Sequence, residues 1–257
     1  MTELLKLHAV SRRFGGLQAL QNVTLTVGAG EVLGLIGPNG AGKTTLVNVI
    51  TGVHPATDGQ VIYQGSDISR LKPYQTARLG LARTFQIVQP FPDLTVLDNV
   101  SAAALFSRSG SSIRQAQEFA RNQLEFVGLT AQVNAPAASL TLAMRKRLEL
   151  AKALAMQPKL LFLDEVNAGL NSAEVEQAMS LIKKIAATGT TIVLIEHLMK
   201  VVVTVCSRIV VLHNGQLISE GDPRQVMHDP KVVEAYLGQR YSQAAKDHLK
   251  NAEVSHD

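Results

Sequence analysis

Residues 37–44 read Gly37-Pro38-Asn39-Gly40-Ala41-Gly42-Lys43-Thr44, and they stand between two segments of opposite texture. Before them, Val32-Leu33-Gly34-Leu35-Ile36 is a continuous apolar run suited to a strand buried on both faces. After them, Lys43 to Thr51 has helical spacing and stops at Gly52, a natural cap residue. Glycines let the joining loop turn its amide N–H groups inward, and the helix dipole adds its positive end. That combination is a cradle for an anion. The spacing fits G-x-x-x-x-G-K-[ST], in which the lysine meets the β- and γ-phosphates of a nucleotide and the hydroxyl faces Mg²⁺. Lys43 and Thr44 take those positions, with Thr45 following directly. A plain glycine turn is the competing reading, and the full match between strand and helix weighs against it.

A second strand end completes the pattern. Leu160-Leu161-Phe162-Leu163-Asp164-Glu165 is four apolar residues followed by two carboxylates. A phosphate loop needs a carboxylate delivered beside it to complete the Mg²⁺ shell, and Asp164 suits that position. Glu165 would reach past the metal and polarise an attacking water. Taken alone, such a strand end is as easily a solvated acidic turn; following a phosphate loop it reads as chemistry.

The rest of the chain falls into three textures. Residues 3–36 alternate as strands, with Leu5–Val10, Val23–Val27 and the run at 32–36. Val61-Ile62-Tyr63 adds another short strand. From about 93 to 157, Thr95–Phe106, Ile113–Val127 and Leu142–Met156 carry apolar residues three and four apart, with no strand between them. After Pro158 the expected order is strand 160–163, helix 172–187, strand 190–195, helix 197–204 and strand 208–213, then a hairpin at His213-Asn214-Gly215. Strand–helix alternation of this kind builds a parallel sheet. The expectation is one α/β domain over 1–238, with a core of about 1–87 and 158–238. A helical subdomain at about 88–157 is inserted in it, and 239–257 form a polar tail.

Composition removes several functions. One cysteine among 257 residues, Cys206, excludes an internal disulfide and a cysteine-cluster zinc site. Aromatics are 4% with no Trp, and the net charge of +4 is dispersed, which argues against a base-stacking nucleic-acid surface. The most apolar late stretch, Thr191 to Leu212, is interrupted by Glu196, His197, Lys200 and Arg208, so it does not read as a membrane span. The opening MTELLKLHAVSRRF lacks the pattern of a secretory signal. The expected setting is cytosolic, with any membrane role supplied by a partner.

With these motifs in place the chain resembles an ATP-binding cassette (ABC) ATPase over about residues 4–238. The resemblance implies a P-loop core, an antiparallel β subdomain and an inserted helical subdomain, with ATP and Mg²⁺ as ligands. Phe14 lies where the family stacks an aromatic on adenine, and Gln86 where it has a metal-contacting glutamine. His197 matches its switch histidine, a catalytic position beside Glu165. Ala168-Gly169-Leu170-Asn171 takes the D-loop position. Each of these residues alone has an ordinary structural reading; their order within a phosphate-loop chain favours function.

Finer features resemble the larger ATPase subunit of branched-chain amino-acid importers: Arg12-Arg13-Phe14-Gly15-Gly16, Arg83-Thr84-Phe85-Gln86, Ile195-Glu196-His197 and Val233-Glu234-Ala235-Tyr236-Leu237-Gly238. That resemblance implies a second ATPase subunit, identical or different, and two membrane permeases fed by a periplasmic solute-binding protein. It implies a location on the cytoplasmic face of the inner membrane and solutes such as branched-chain amino acids or related small polar molecules. ABC ATPases acting on nucleic acid tend to carry fused cassettes, long coiled coils or zinc modules, none of which the sequence suggests. No nucleic-acid partner is expected. A nucleotide-dependent switch with negligible turnover is the remaining alternative.

One segment departs from the family. Its signature loop reads L-S-G-G-Q, whereas here the aligned residues are Leu140-Thr141-Leu142-Ala143-Met144, followed by the basic helix Arg145-Lys146-Arg147. Thr141 keeps a hydroxyl, but Ala143 replaces a glycine and Met144 a polar amide. Val166 and Asn167 are also unusual just after Glu165. These changes bring into question what the segment contributes to hydrolysis on an opposing subunit.

Overall fold

The computed structural model describes residues 2–84, 89–106 and 112–237. The first two strands, β1 (Glu3–Phe14) and β2 (Leu17–Gly28), pair antiparallel. They are followed by β3 (Val32–Ile36), α1 (Lys43–Ile50), β4 (Asp58–Tyr63), β5 (Ser66–Asp67), α2 (Pro73–Arg78) and β6 (Leu81–Arg83). Three helices come next: α3 (Val96–Leu105), α4 (Ile113–Phe126) and α5 (Leu142–Ala155). The chain then runs through β7 (Leu160–Asp164), α6 (Ser172–Ala187), β8 (Thr191–Ile195) and α7 (Met199–Val205). It closes with β9 (Arg208–His213), β10 (Gln216–Gly221), α8 (Pro223–Val226) and α9 (Pro230–Leu237).

Two sheets result. One is antiparallel with strand order β2-β1-β4-β5, and the other has order β10-β9-β3-β8-β7-β6. Within the second sheet β9, β3, β8, β7 and β6 are parallel, and β10 joins β9 as an antiparallel hairpin arm. The strands of its centre are apolar on both faces because each face has its own core. Leu33, Leu35, Phe162 and Val193 pack with α1 and the antiparallel sheet. Ile36, Leu161, Leu163 and Leu194 pack with the helices on the other side. This explains why β3, β7 and β8 read as uninterrupted apolar runs. Gly34 is part of the same fit, since a Cβ there would stand 2.8 Å from Ile209 Cγ2 and 3.0 Å from Cys206 Sγ.

The described residues between 93 and 157 carry the helices α3, α4 and α5, as their periodicity predicts. Thr95, Ser112 and Thr141 cap α3, α4 and α5, each accepting from the N–H three residues on. Buried Asn99 ties the segment before α3 in place, donating to Phe91 O and Thr95 O and accepting from Phe91 N.

Two expectations change. β1 and β2 run longer than the alternating stretches suggest, because bulges absorb the irregular residues between them. The helix expected over 197–204 begins only at Met199, since Leu198 is extended (φ −81, ψ 97). The reason lies one residue earlier: the buried Glu196 carboxylate accepts from His197 N and from Asn167, holding the chain out of helical register. The short elements α2, β5 and β6 carry too few periodic residues to be legible beforehand.

Candidate functional site

The glycine loop stands at the C-terminal edge of β3, in the crevice where an open parallel sheet accepts ligands. Its glycines are structural requirements. Gly37 has φ +148 and an added Cβ would lie 2.0 Å from Leu212 O; Gly42 has φ +105 and would meet Ala19 O at 2.8 Å. Helix α1 begins at Lys43 without a side-chain cap, leaving its first N–H groups facing the loop. Lys43 folds back over the loop, its Nζ donating to Gly37 O at 2.7 Å and Pro38 O at 3.1 Å. Burial lowers the pKa of this ammonium, and the Glu165 and Asp164 charges oppose that push. Burial raises the pKa of the Tyr236 phenol of α9, and the Gly37 N–H opposes part of that push.

A cleft of about 740 Å³ opens over this loop. Asn39 to Thr45 line it, together with Phe14, Asp164 and Glu165. Gly37 and Pro38 lie outside the lining and serve as the floor that Lys43 bonds. Phe14 is 38% exposed on the cleft wall, edge-on to His54 at 5.2 Å and beneath the Arg12 guanidinium at 4.4 Å. Its ring is thus fixed in orientation while one side faces the cleft.

Asp164 ends β7, which pairs with β8 through Asp164 and Ile195. Its amide donates to Thr84 Oγ1 at 3.1 Å, and its Oδ2 lies 3.4 Å from Arg83 Nη2. Arg83 in turn donates to Asn48 Oδ1 of α1 at 2.6 Å. Burial raises the Asp164 pKa; Arg83 opposes this, Glu165 adds to it and Lys43 opposes it. Glu165 follows in a left-handed conformation (φ 47), unusual for a residue with a Cβ and a mark of a site held by its surroundings.

The remaining candidate residues divide clearly. His197 is exposed beyond the end of β8 and does not line the cleft. Gln86 lies outside the described residues. Asn171 is the N-cap of α6, accepting from Glu174 N at 3.0 Å while Glu174 Oε2 accepts from Asn171 N at 2.9 Å. Gly169 packs under the signature segment, where an added Cβ would stand 3.0 Å from Leu142 Cδ2. Thr141 caps α5 by accepting from Met144 N at 3.4 Å, and Leu142 is exposed. Sequence reasoning overlooked Arg83 and Thr84 as partners of Asp164, and Asn214 and Gly215 as cleft walls. The Arg83-Thr84 pair was visible as a motif, but nothing in its spacing points at Asp164.

A phosphate loop on β3 with two carboxylates at the end of β7, two strands away in the same sheet, defines a P-loop nucleotide-binding fold. Residues 20–168 match the ABC transporter family, and residues 216–242 match the branched-chain amino acid ATP-binding cassette transporter family. The BraF high-affinity branched-chain amino acid transport ATP-binding protein of Pseudomonas aeruginosa is 38% identical over 250 residues, covering 92% of this chain and 98% of that one. The LivG protein of the same description from Escherichia coli K12 is 39% identical over the same shares. A crystal structure of an ABC transporter's ATP-binding cassette in its ADP conformation superposes with a TM-score of 0.84 at 33% identity, covering 93% of this chain and 100% of that one. A dimeric bacterial ABC transporter cassette aligns with a TM-score of 0.76 at 27% identity, over 86% and 99%. The chain belongs to the ABC transporter family, as its ATP-binding, ATP-hydrolysing component. Among the described residues no helix is long and apolar enough to cross a membrane.

Proposed function

We propose that this chain is the ATPase subunit of an importer for branched-chain amino acids or related small polar solutes. The observation that carries it is one cleft lined by Lys43, Thr44, Asp164 and Glu165, in a chain whose residues 216–242 match the branched-chain family. In this reading the loop amides and Lys43 bind the triphosphate of ATP, and Phe14 stacks on adenine. Thr44 and Asp164 suit Mg²⁺, offering hard oxygen donors with room for phosphates and water. Among the described residues no cluster of His, Cys, Asp or Glu forms a metal cage. When bound, the ion would neutralise charge developing on the transferred phosphate. Gln86 would complete its shell. Glu165 orients the attacking water and accepts its proton, and His197 approaches the terminal phosphate as the cleft closes.

The subunit works in a pair, each cleft covered by the Leu140–Met144 segment of the other, with Ala168–Asn171 at the seam. The partner is a second copy or a different ATPase. Two permeases hold the pair at the cytoplasmic face of the inner membrane, and a periplasmic binding protein delivers solute. The 1–238 domain with its helical insertion at about 88–157 is the unit that closes, and 239–257 are its polar tail. Closure drives the permeases by positioning and charge neutralisation, with little covalent chemistry from the protein.

The test is reconstitution with the permeases and binding protein of a branched-chain amino-acid importer, followed by uptake of labelled leucine. Uptake that depends on ATP and is lost in Lys43→Ala supports the reading. Ala143 and Met144 specifically favour a second one, a nucleotide-dependent switch. Absence of steady hydrolysis in the reconstituted complex would select it.

A further inference from the structure

Behind Glu165, on the side away from the cleft, lies a polar cluster that the nucleotide reading does not use. Both backbone polar atoms of Glu165 are engaged. Its N–H donates to Ile195 O at 3.0 Å, and its carbonyl accepts from Ala168 N at 3.1 Å and from Lys146 Nζ at 3.1 Å. Lys146 belongs to the first turns of α5, the helix that Thr141 caps. Two residues past Glu165, Asn167 is 1% exposed and gives both its backbone N–H and its Nδ2 to Glu196 Oε1, at 3.2 and 2.7 Å. Glu196 is itself 1% exposed, and its Oε2 accepts from His197 N at 3.3 Å.

The Asn167 Oδ1 atom is buried with no partner. An amide oxygen left so is costly, and it is retained here because the amide nitrogen is committed to a buried carboxylate. Glu196 therefore dictates the side chain's orientation and, through the Asn167 backbone, the turn after Glu165. Burial lowers the Lys146 pKa, while the charges of Glu196 and Glu165 oppose that push. A left-handed residue at 165 needs such external bonds to persist, because its own backbone preference lies elsewhere.

We infer that Lys146 is a positioning residue for Glu165, a strut from α5 to the Glu165 carbonyl whose far end is anchored by the Asn167–Glu196 pair. The signature helix then acts on its own chain's carboxylate as well as on the opposing subunit. A displacement of α5 that breaks the Lys146 contact frees the turn at 165–168 and misaims the Glu165 side chain. This rests on the proposed role of Glu165, and the experiment separates the two.

The full-length chain, assembled with its permeases, is compared as wild type, Lys146→Met, Lys146→Arg and Glu165→Gln. Lys146→Met should lower kcat by about tenfold or more with KM for ATP nearly unchanged, the signature of an interaction expressed in the transition state. Amide exchange over 164–170 in the nucleotide-free chain should quicken in this variant. Lys146→Arg, which keeps a charged donor, should restore both. Lys146→Gln carries the Met expectation if the Met variant does not fold. Unchanged kcat in a folded Met or Gln variant overturns the inference, and so does a fall in kcat matched by lost thermal stability that Arg does not rescue. Should Glu165→Gln retain hydrolysis, the role given to Glu165 fails instead, whatever Lys146 does.

Discussion

Arg83 Nη2 stands 3.4 Å from Asp164 Oδ2, with 11% and 7% of the two side chains exposed. This pair holds a buried carboxylate beside the phosphate loop before any ligand arrives. Burial outweighs it, since the Asp164 pKa is raised despite Arg83. A carboxyl raised in the folded chain binds its proton more tightly there than when unfolded. Stability is then lost as pH climbs from the ordinary carboxylate value through the folded pKa.

At neutral pH the Asp164 charge therefore costs stability. Asp164→Asn should raise the Tm of the nucleotide-free chain, by about 2–4 °C for each kcal/mol relieved. The same change should abolish the extra stabilisation that MgATP confers. Melting curves with and without MgATP, taken from about pH 4 to 8, check both halves. A lower nucleotide-free Tm at neutral pH would mean the pair with Arg83 is a net stabiliser.

Lys43 and Phe14 should separate by ligand. Lys43→Ala ought to weaken ATP far more than adenosine, because only the former carries the phosphates its ammonium meets. Phe14→Ala should cost about 1–3 kcal/mol for any adenine nucleotide, the range of one lost stacking partner. Calorimetric titration of ATP, GTP and adenosine reads all of these. An ATP affinity untouched by Lys43→Ala would remove the phosphate-loop assignment.

Glu165→Gln should spare nucleotide binding and stop turnover, leaving a long-lived ATP-bound pair. If the partner is a different ATPase with an intact signature, the two clefts are unequal. The strong one joins Lys43, Asp164 and Glu165 to the partner's signature; the weak one is completed by Thr141 and Ala143. Glu165→Gln should then abolish transport, while the matching change in the partner leaves a substantial fraction. Ala143→Gly with Met144→Gln should raise hydrolysis more than transport. Equal transport losses in the two single mutants would show that both clefts are used alike.

Cys206 should be inert in the folded chain. It is buried, and burial, with Glu196 adding to it, pushes its thiol up to about 12. Only a thiolate attacks alkylating reagents, and at pH 8 about one molecule in ten thousand would carry it. Labelling should be negligible natively and complete in denaturant. Fast labelling at pH 8 without denaturant would show that α7 opens readily.

The glycine loop, the Asp164-Glu165 strand end and the helical stretch from 93 to 157 were all legible in advance. Each is a local pattern in which neighbouring residues must cooperate: a strand into a helix, an apolar run into charge, a three-to-four-residue period. The helix expected over 172–187 is observed as Ser172–Ala187, with Asn171 and Glu174 forming a capping box at its start. The helix at 197 was misplaced because its start is governed by Glu196 bonding a residue 29 positions away.

That contrast describes the molecule as a whole. The order of residues along the chain was enough to specify a phosphate cradle, a carboxylate strand and their family, since those depend on contacts within a few positions. The partners of the carboxylates were set by folding alone. Arg83 reaches Asp164 across 81 positions because β6 and β7 lie side by side in the sheet, and Lys146 reaches the Glu165 carbonyl because α5 packs over its end. Side-chain electrostatics depends on distance in space, and no local pattern encodes which distant charge will share a buried site.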